Sequence, residues 1–579
     1  LFDSTSRLFT LTTAHSMYQM KADRYGVLLH TWFGMKCSAF DYSYRIAYAD
    51  RGFSGNPYDA GEDRTYSLDV LPQEFPVYGS GDYRSTALKV RYPDGTTACD
   101  LRYLKHEIRE GKYSLPGLPA LFDTLPDAED HASGLSIEAQ SDTLVITLED
   151  TRRMFYVHLY YGVMENLDVI TRAVCVENHS DADIYIENIQ SVCVDHLHGD
   201  HDLHTFYGRH VKERNYQRTH VMHGIQSVGS TRGTSSHQYN PFLILSDRDT
   251  TEDTGSCYGF SFLYSGDFIG SAELDQYDQT RFLLGIHPDN FCYCVKPDEC
   301  FYAPEAAMAY SECGLGNLSR IFHRAFRSHL CRGKWTVKRR PVLLNDWEGV
   351  YFDFDGEKLI QMAKDASELG VELFVMDDGW FGKRDLDVSG LGDWIVNEKK
   401  LGCTLKELSD QIHDFGIQFG IWFEPEGINE DSDLYREHPD WTFQIPGKQP
   451  TRSRLQLLLD FSREDVRDYI FTHICQVLDS ARIEYLKWDL NRSLADLYSA
   501  ALPAERQGEI MHRYVLGLYD MLEKLVRRYP DLLIEGCSGG GGRFDAGMLY
   551  YTPQIWCSDD TDAIERLSIQ YGTSFGYPV

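Results

Sequence analysis

Tyr485-Leu486-Lys487-Trp488-Asp489-Leu490-Asn491-Arg492 ends an apolar run on a carboxylate flanked by a cation, an aromatic ring and an amide. That is the pattern of a strand whose C-terminal end carries chemistry. Working outward, the chain after Arg340 alternates short apolar runs with amphipathic stretches. Strands are expected at Val342 to Trp347, Val371 to Met376, Gln418 to Phe423, Ile483 to Trp488, Leu532 to Glu535 and Gln554 to Trp556. Helices such as Gly356 to Leu369 and Leu405 to Phe415 fall between them. This alternation builds a parallel sheet covered by helices. A (β/α)8 barrel places its active site at the C-terminal strand ends. Here those ends read Trp347-Glu348, Asp377-Asp378, Glu424-Pro425-Glu426, Asp489, Cys537 and Asp559-Asp560. Six units are legible before the sequence reaches Tyr577-Pro578-Val579, so the expected barrel is incomplete at its C-terminus.

The first half has another grammar. Tyr25 to Trp32, Leu144 to Leu148, Phe155 to Val163, Asp168 to Glu177, Ile184 to Val194 and Arg281 to Ile286 are short alternating runs broken by turns. Period-two alternation at this spacing predicts an antiparallel β region, a large sandwich. Helical spacing first takes over between Asn317 and Trp335, where Leu318, Ile321, Phe322, Ala325 and Phe326 recur.

Composition bounds the function. A chain of 579 residues, 42% hydrophobic, buries large cores in more than one domain. The net charge of -32 is spread along the sequence and opposes binding to nucleic acid or to an anionic membrane. No stretch approaches the roughly 18 apolar residues of a membrane span. Fourteen cysteines are scattered without a dense framework and no leader is legible, so a cytoplasmic protein is expected.

Two carboxylates at two strand ends point to glycoside chemistry. A retaining glycosidase needs one ionised carboxylate as nucleophile and one protonated carboxyl as acid, about 5 to 5.5 Å apart. Asp489 suits the first role, because Lys487 points to the same strand face and favours its ionised form. A buried Lys-Asp pair fastening a barrel interior is the plainer alternative. Asp559 or Asp560 supplies the acid, and spacing alone does not choose between them. Asp377-Asp378-Gly379-Trp380 offers a carboxylate pair for neighbouring sugar hydroxyls, with Trp380 shaping the wall, although Asp-Asp-Gly also makes turns.

Other motifs carry less. Asp195-His196-Leu197-His198-Gly199-Asp200-His201-Asp202-Leu203-His204 has metal-ligand residue types but no matching partner cluster, and reads as a loop between sandwich strands. Cys292-Tyr293-Cys294 reads as buried free thiols. Cys537-Ser538-Gly539-Gly540-Gly541-Gly542-Arg543 lacks the ending of a phosphate-binding loop and suits close backbone approach to a sugar.

Taken together, the sequence resembles the bacterial α-galactosidases of glycoside hydrolase family 36. The stretches that carry the resemblance are Leu343 to Glu348, Phe374 to Gly382, Ile421 to Glu426, Leu486 to Arg492, Cys537 to Asp545 and Trp556 to Ala563, with weaker likeness at Asp50-Arg51, Tyr78 to Arg84 and Arg232 to Gln238. The resemblance implies an N-terminal β-supersandwich over 1–318, a helical linker over 319–340 and a catalytic (β/α)8 barrel over 341–579. By the same likeness the family's small C-terminal β domain is expected to be absent from this chain. It implies retaining hydrolysis of terminal α-galactosides such as melibiose and raffinose, without metal or other cofactor. By that likeness Asp489 is the nucleophile and Asp559 the acid/base, ahead of Asp560. Asp377 and Asp378 bind the galactose O4 and O6 region, while Trp347, Arg454, Lys487, Asn491, Cys537 and Gly540 line the subsite. A homotetramer is implied, in which Asp50 is the candidate residue lent to a neighbour. Cys557 and Leu490 stand where Thr and Met are expected.

In that mechanism Asp489 attacks the anomeric carbon while Asp559 protonates the leaving oxygen, and water activated by Asp559 then releases galactose. Transglycosylation or α-N-acetylgalactosaminidase activity would use the same residues. A non-catalytic galactoside-binding protein would have no need of both Asp489 and Asp559.

Overall fold

The computed structural model describes residues 2–50, 53–123, 139–150 and 152–578. Arg51, part of one of the weaker likenesses, lies outside them, as does Val579. The first half forms three antiparallel sheets of four, six and ten strands. Their strands alternate inward apolar and outward polar residues, as in Phe155–Met164 with its buried Phe155, Val157, Leu159 and Tyr161. Within this half, β1 (Ile184–His196) belongs to the six-stranded sheet, whereas β2 (His201–Arg209) and β3 (Lys212–His220) form a hairpin at the edge of the ten-stranded one.

The strand expected at Tyr25 to Trp32 is displaced to Leu28–Met35. Asp23 is the reason: its Oδ1 accepts from the Tyr25 and Val27 amides, and Gly26 takes φ +80°, which turns the chain before the strand begins. After the last sandwich strand, Ala306–Ser311, helix α1 (Gly314–His329) buries Leu318, Ile321, Phe322, Ala325 and Phe326 against the ten-stranded sheet.

From there the chain builds one parallel sheet of six strands in sequence order: β4 (Leu343–Asn345), β5 (Leu373–Met376), β6 (Gln418–Phe423), β7 (Tyr485–Trp488), β8 (Leu533–Gly536) and β9 (Gln554–Ile555). All four β5 residues are buried, as expected of a central strand in a parallel sheet packed against helices. The crossovers are α2 (Gly356–Glu368), α3 (Leu405–Asp414), α4 (Glu464–Ser480) and α5 (Ile510–Arg528). Local chemistry starts them: Asp355 caps α2, and Thr404 and Glu407 close a capping box on α3. Between β8 and β9 only a four-residue helix, Ala546–Leu549, intervenes, and α6 (Ala563–Thr573) follows β9. The strand expected to reach Trp347 stops at Asn345, since Trp347 already begins a short helix.

The two halves share one apolar core running from Phe9 through Phe282 to Trp422 and Ile534. Polar contacts join them as well. The buried carboxylate of Asp545 accepts from Ser235 and Ser265 Oγ at 2.5 and 2.7 Å. Among the described residues, no helix is long and apolar enough to cross a membrane.

Candidate active site

The C-terminal ends of β4 to β9 converge on one acidic cluster. Asp489 follows β7 directly and is 5% exposed. Its Oδ2 accepts from Trp422 Nε1 at 3.1 Å and Asn491 Nδ2 at 2.8 Å; its Oδ1 accepts from the amides of Leu490 at 2.8 Å and Gly539 at 3.3 Å. Burial opposes the charge, but the Lys487 ammonium and hydrogen bonds from Cys537, Asn491 and Trp422 outweigh it, holding the carboxyl below its ordinary value. An ionised, oriented carboxylate is what a nucleophile requires.

Lys487 does point to that face, yet its direct partner is Asp377, whose Oδ2 lies 3.0 Å from Nζ and 2.6 Å from Asn345 Nδ2. Asp377 also receives the Asp378 amide on Oδ1 and gives its own amide to Asp346 Oδ1. Burial, then the charge of Asp377, pushes the Asp346 carboxyl up to about 8. Asp378 is held by both arms of Arg384, at 2.9 and 2.7 Å. Trp380 is not a wall of the cleft: it is fully buried against Trp394 and Phe423, with Nε1 donating to the Trp422 carbonyl. The glycine before it takes φ +112° and turns the indole into the core.

Behind Asp489 stands Glu424. It accepts from Asn491 N at 2.6 Å and Nδ2 at 3.0 Å, so Asn491 bridges two carboxylates. Burial and then the charge of Asp489 push Glu424 up to about 7. Glu426, two residues on, is structural, ion-paired with Arg543 at 2.9 Å and accepting from Trp488 Nε1 at 2.8 Å.

Asp559 stands at the mouth, just past β9. Trp556 Nε1 donates to its Oδ1 and His210 Nε2 lies against its Oδ2, both at 2.9 Å. Asp560 faces elsewhere; its Oδ1 accepts from the Asp562 amide at 2.9 Å, just before α6. The loop after β8 lies between the two candidate catalytic carboxylates. Its Gly539 amide reaches Asp489, while a Cβ on Gly540, at φ +78°, would lie 2.8 Å from the Asp559 amide nitrogen. The buried Cys537 thiol is pushed far above its ordinary value by burial, then by Asp489, with Asp559 adding to the effect.

Of the other expected subsite residues, Trp347 is half-buried at the end of β4, edge-on to Tyr351 and Phe352. Arg454 is at the rim, exposed, with Nε 3.4 Å from Asp387. Asp50 sits in the N-terminal domain, on the loop after Leu28–Met35, ion-paired to Arg64 at 3.2 Å.

Sequence reasoning missed the contribution of the sandwich. The β2–β3 hairpin places His210 on Asp559. Glu213 accepts from Ser558 Oγ at 2.6 Å, and Arg214 donates to the Gly541 carbonyl at 3.1 Å. His237 Nε2 meets the Gly539 carbonyl at 2.6 Å. These partners lie more than 300 positions from what they hold, and no local pattern marks them. Asn345 and Arg384 were closer to legible, as polar residues at or just after strand ends.

A carboxylate held ionised at one strand end, with a second at the mouth, defines a protein of the two-carboxylate glycoside class. Comparison with known proteins supplies the family. Residues 26–296 match the glycosyl hydrolase family 36 N-terminal domain and residues 300–579 match Melibiase. The chain belongs to glycosyl hydrolase family 36. Over its whole length it is 53% identical to the bifunctional alpha-galactosidase/sucrose kinase AgaSK of Mediterraneibacter gnavus, spanning 60% of that protein's length. It is 46% identical to the alpha-galactosidase Mel36A of Lactobacillus acidophilus, of which it spans 77%. A variant of the GH36 alpha-galactosidase AgaA from Geobacillus stearothermophilus, solved in complex with raffinose, superposes with a TM-score of 0.95 at 44% identity, covering 99% of this chain and 78% of that one.

Proposed function

We propose that this chain is a retaining α-galactosidase that removes terminal α-galactosyl groups from oligosaccharides of the melibiose and raffinose kind. The observation that carries the reading is the Cys537–Gly542 loop, whose Gly539 amide donates to Asp489 and whose Gly540 lies so near Asp559 that an added Cβ would stand 2.8 Å from its amide nitrogen. In this reading one pyranose bound against that loop meets both carboxylates.

In the first step Asp489 forms a bond to the anomeric carbon as the C–O bond to the leaving group breaks, and Asp559 gives that oxygen its proton. In the second, Asp559 takes a proton from water, which attacks the same carbon and releases Asp489. Asp377, fixed by Lys487 and Asn345, is the acceptor for the axial O4 of galactose, with Asp378, Trp347, Arg454, Asn491 and Cys537 completing the subsite. An equatorial hydroxyl would leave that buried carboxylate unpaired, which disfavours glucosides. The six parallel strands are read as an arc of a (β/α)8 barrel, supported by their sequential order. A homotetramer in the cytoplasm, with the loop around Asp50 offered to a neighbour, completes the reading. The contact with a neighbour is supported by the exposed Phe40, Tyr44 and Tyr58 on that loop.

The test is release of p-nitrophenol from the α-galactoside, with the α-glucoside and α-N-acetylgalactosaminide alongside, for wild type and Asp489→Ala with and without azide. Galactoside turnover lost in the variant and partly rescued as β-galactosyl azide is expected. Wild-type turnover by Asp489→Ala, or preference for another glycoside, overturns it.

A further inference from the structure

The turn joining β1 to β2 carries three histidines that the glycosidic site leaves unused. β1 ends on His196, β2 begins on His201, and His198 stands between them, spaced His-x-His-x-x-His. Their ligating nitrogens all lie within 4.8 Å of one another. The His198 and His201 rings stack with centroids 4.3 Å apart, and His196 lies 4.9 Å from His201.

Two observations separate this group from a chance cluster. His201 is 0% exposed and His196 7%, yet Nε2 of each has no hydrogen-bond partner. A buried polar atom left unpaired costs about 1–3 kcal/mol, so two such atoms in one place mark where an electron-pair acceptor belongs. His201 Nδ1 is 3.2 Å from Thr280 Oγ1. In the tautomer whose Nδ1–H donates to that hydroxyl, the Nε2 lone pair is free to ligate, which is how metal-bound imidazoles are held.

The second observation is rigidity. A Cβ on Gly199 would lie 2.3 Å from Leu274 and 3.0 Å from the Asp278 carbonyl, so packing presses the turn into place. Its two ends are anchored in different sheets, with His196 opposite Thr280 and His201 opposite Asp247. Asp247 and Asp200 set negative charge beside His198 against the positive charge of Arg45.

We propose that His196, His198 and His201 bind one divalent transition-metal ion of the Zn2+ class as a structural site. Three imidazoles favour such an ion over Ca2+ or Mg2+, which take oxygen ligands. Tetrahedral coordination at Zn–N distances of about 2.1 Å needs the nitrogens roughly 3.4 Å apart, so the three side chains must draw together from their present separation of up to 4.8 Å. The ion ties the six-stranded sheet to the ten-stranded one. It also braces β2, the nine-residue strand whose far end leads to His210.

Untagged full-length protein, stripped with chelator, is titrated with ZnCl2 calorimetrically and, separately, with Co2+ followed by visible absorption. One equivalent should bind and raise Tm, with Co2+ giving the ligand-field bands of a low-coordinate nitrogen site. His198→Ala, which removes an exposed side chain, should weaken binding roughly 100-fold or more and abolish those bands. If that variant fails to fold, His198→Gln keeps the bulk without the imidazole and is read the same way. Wild type that binds no stoichiometric Zn2+, or a folded variant that binds as wild type does, overturns the proposal.

Discussion

The imidazole of His210, at the tip of the sandwich's β2–β3 hairpin, lies 2.9 Å from the carboxylate of Asp559, at the mouth of the parallel sheet. Exposed as it is, the pair contributes little to stability. Its consequence is positional: the N-terminal domain holds one Asp559 oxygen and Trp556 the other. His210→Ala should therefore lower kcat about tenfold, the loss of one hydrogen bond to a charged group, while leaving Tm nearly unchanged. Unchanged kcat would mean that Asp559 needs no such support.

Lys487 supports both Asp377, by contact, and Asp489, by its field. Lys487→Met leaves the buried Asp377 carboxylate without its cation, a change that costs about 3–5 kcal/mol. As the proposed nucleophile Asp489 must be ionised to attack, so activity is expected to fall as pH drops through its pKa. Removing the ammonium raises that pKa, and the acid limb of kcat/KM should shift to higher pH. An acid limb that stays in place would separate Lys487 from the proposed nucleophile.

Glu424 offers a stability test that does not depend on turnover. Its folded-state carboxyl holds its proton up to about 7, while an unfolded glutamate releases it near 4.5. Between those values the native state binds more protons, so stability declines as pH rises through the window, by on the order of 3 kcal/mol. Glu424→Gln has no proton to lose and should flatten that decline in denaturation curves measured from pH 4.5 to 7. Parallel curves for the two proteins would contradict the assigned pKa.

Gly540 tests the loop between the carboxylates. At φ +78° an added Cβ is strained, and it would meet the Asp559 amide at 2.8 Å and Glu213 Oε1 at 2.9 Å. Gly540→Ala should cost about 1 kcal/mol or more of stability. It should also reduce kcat by more than it raises KM, because Asp559 is displaced. A variant with wild-type kcat would show that the loop does not set the position of Asp559.

Much of this arrangement is legible in one dimension. The six parallel strands fall within two residues of their expected limits, because helix-covered strands are almost continuously apolar and the candidate catalytic side chains follow directly after them. Asp489 is the clearest case. Pattern fails where local chemistry overrides it: Asp23 turns the chain at Tyr25, and Gly379 turns Trp380 inward. The three histidines at the β1–β2 turn have no partner cluster along the sequence, yet the three themselves converge in space.

The sequence alone determined a β-rich first half, parallel βα units in the second, and which carboxylates stand at strand ends, because hydrophobic periodicity and strand-end polarity are local properties. Only the tertiary structure decided which cation each carboxylate meets: Lys487 on Asp377, Arg384 on Asp378, Arg543 on Glu426. It alone decided that Asp559 faces His210 while Asp560 turns to the Asp562 amide. Charge pairing and burial are set by distance through space, and a hairpin 349 positions away carries no trace of that distance along the chain.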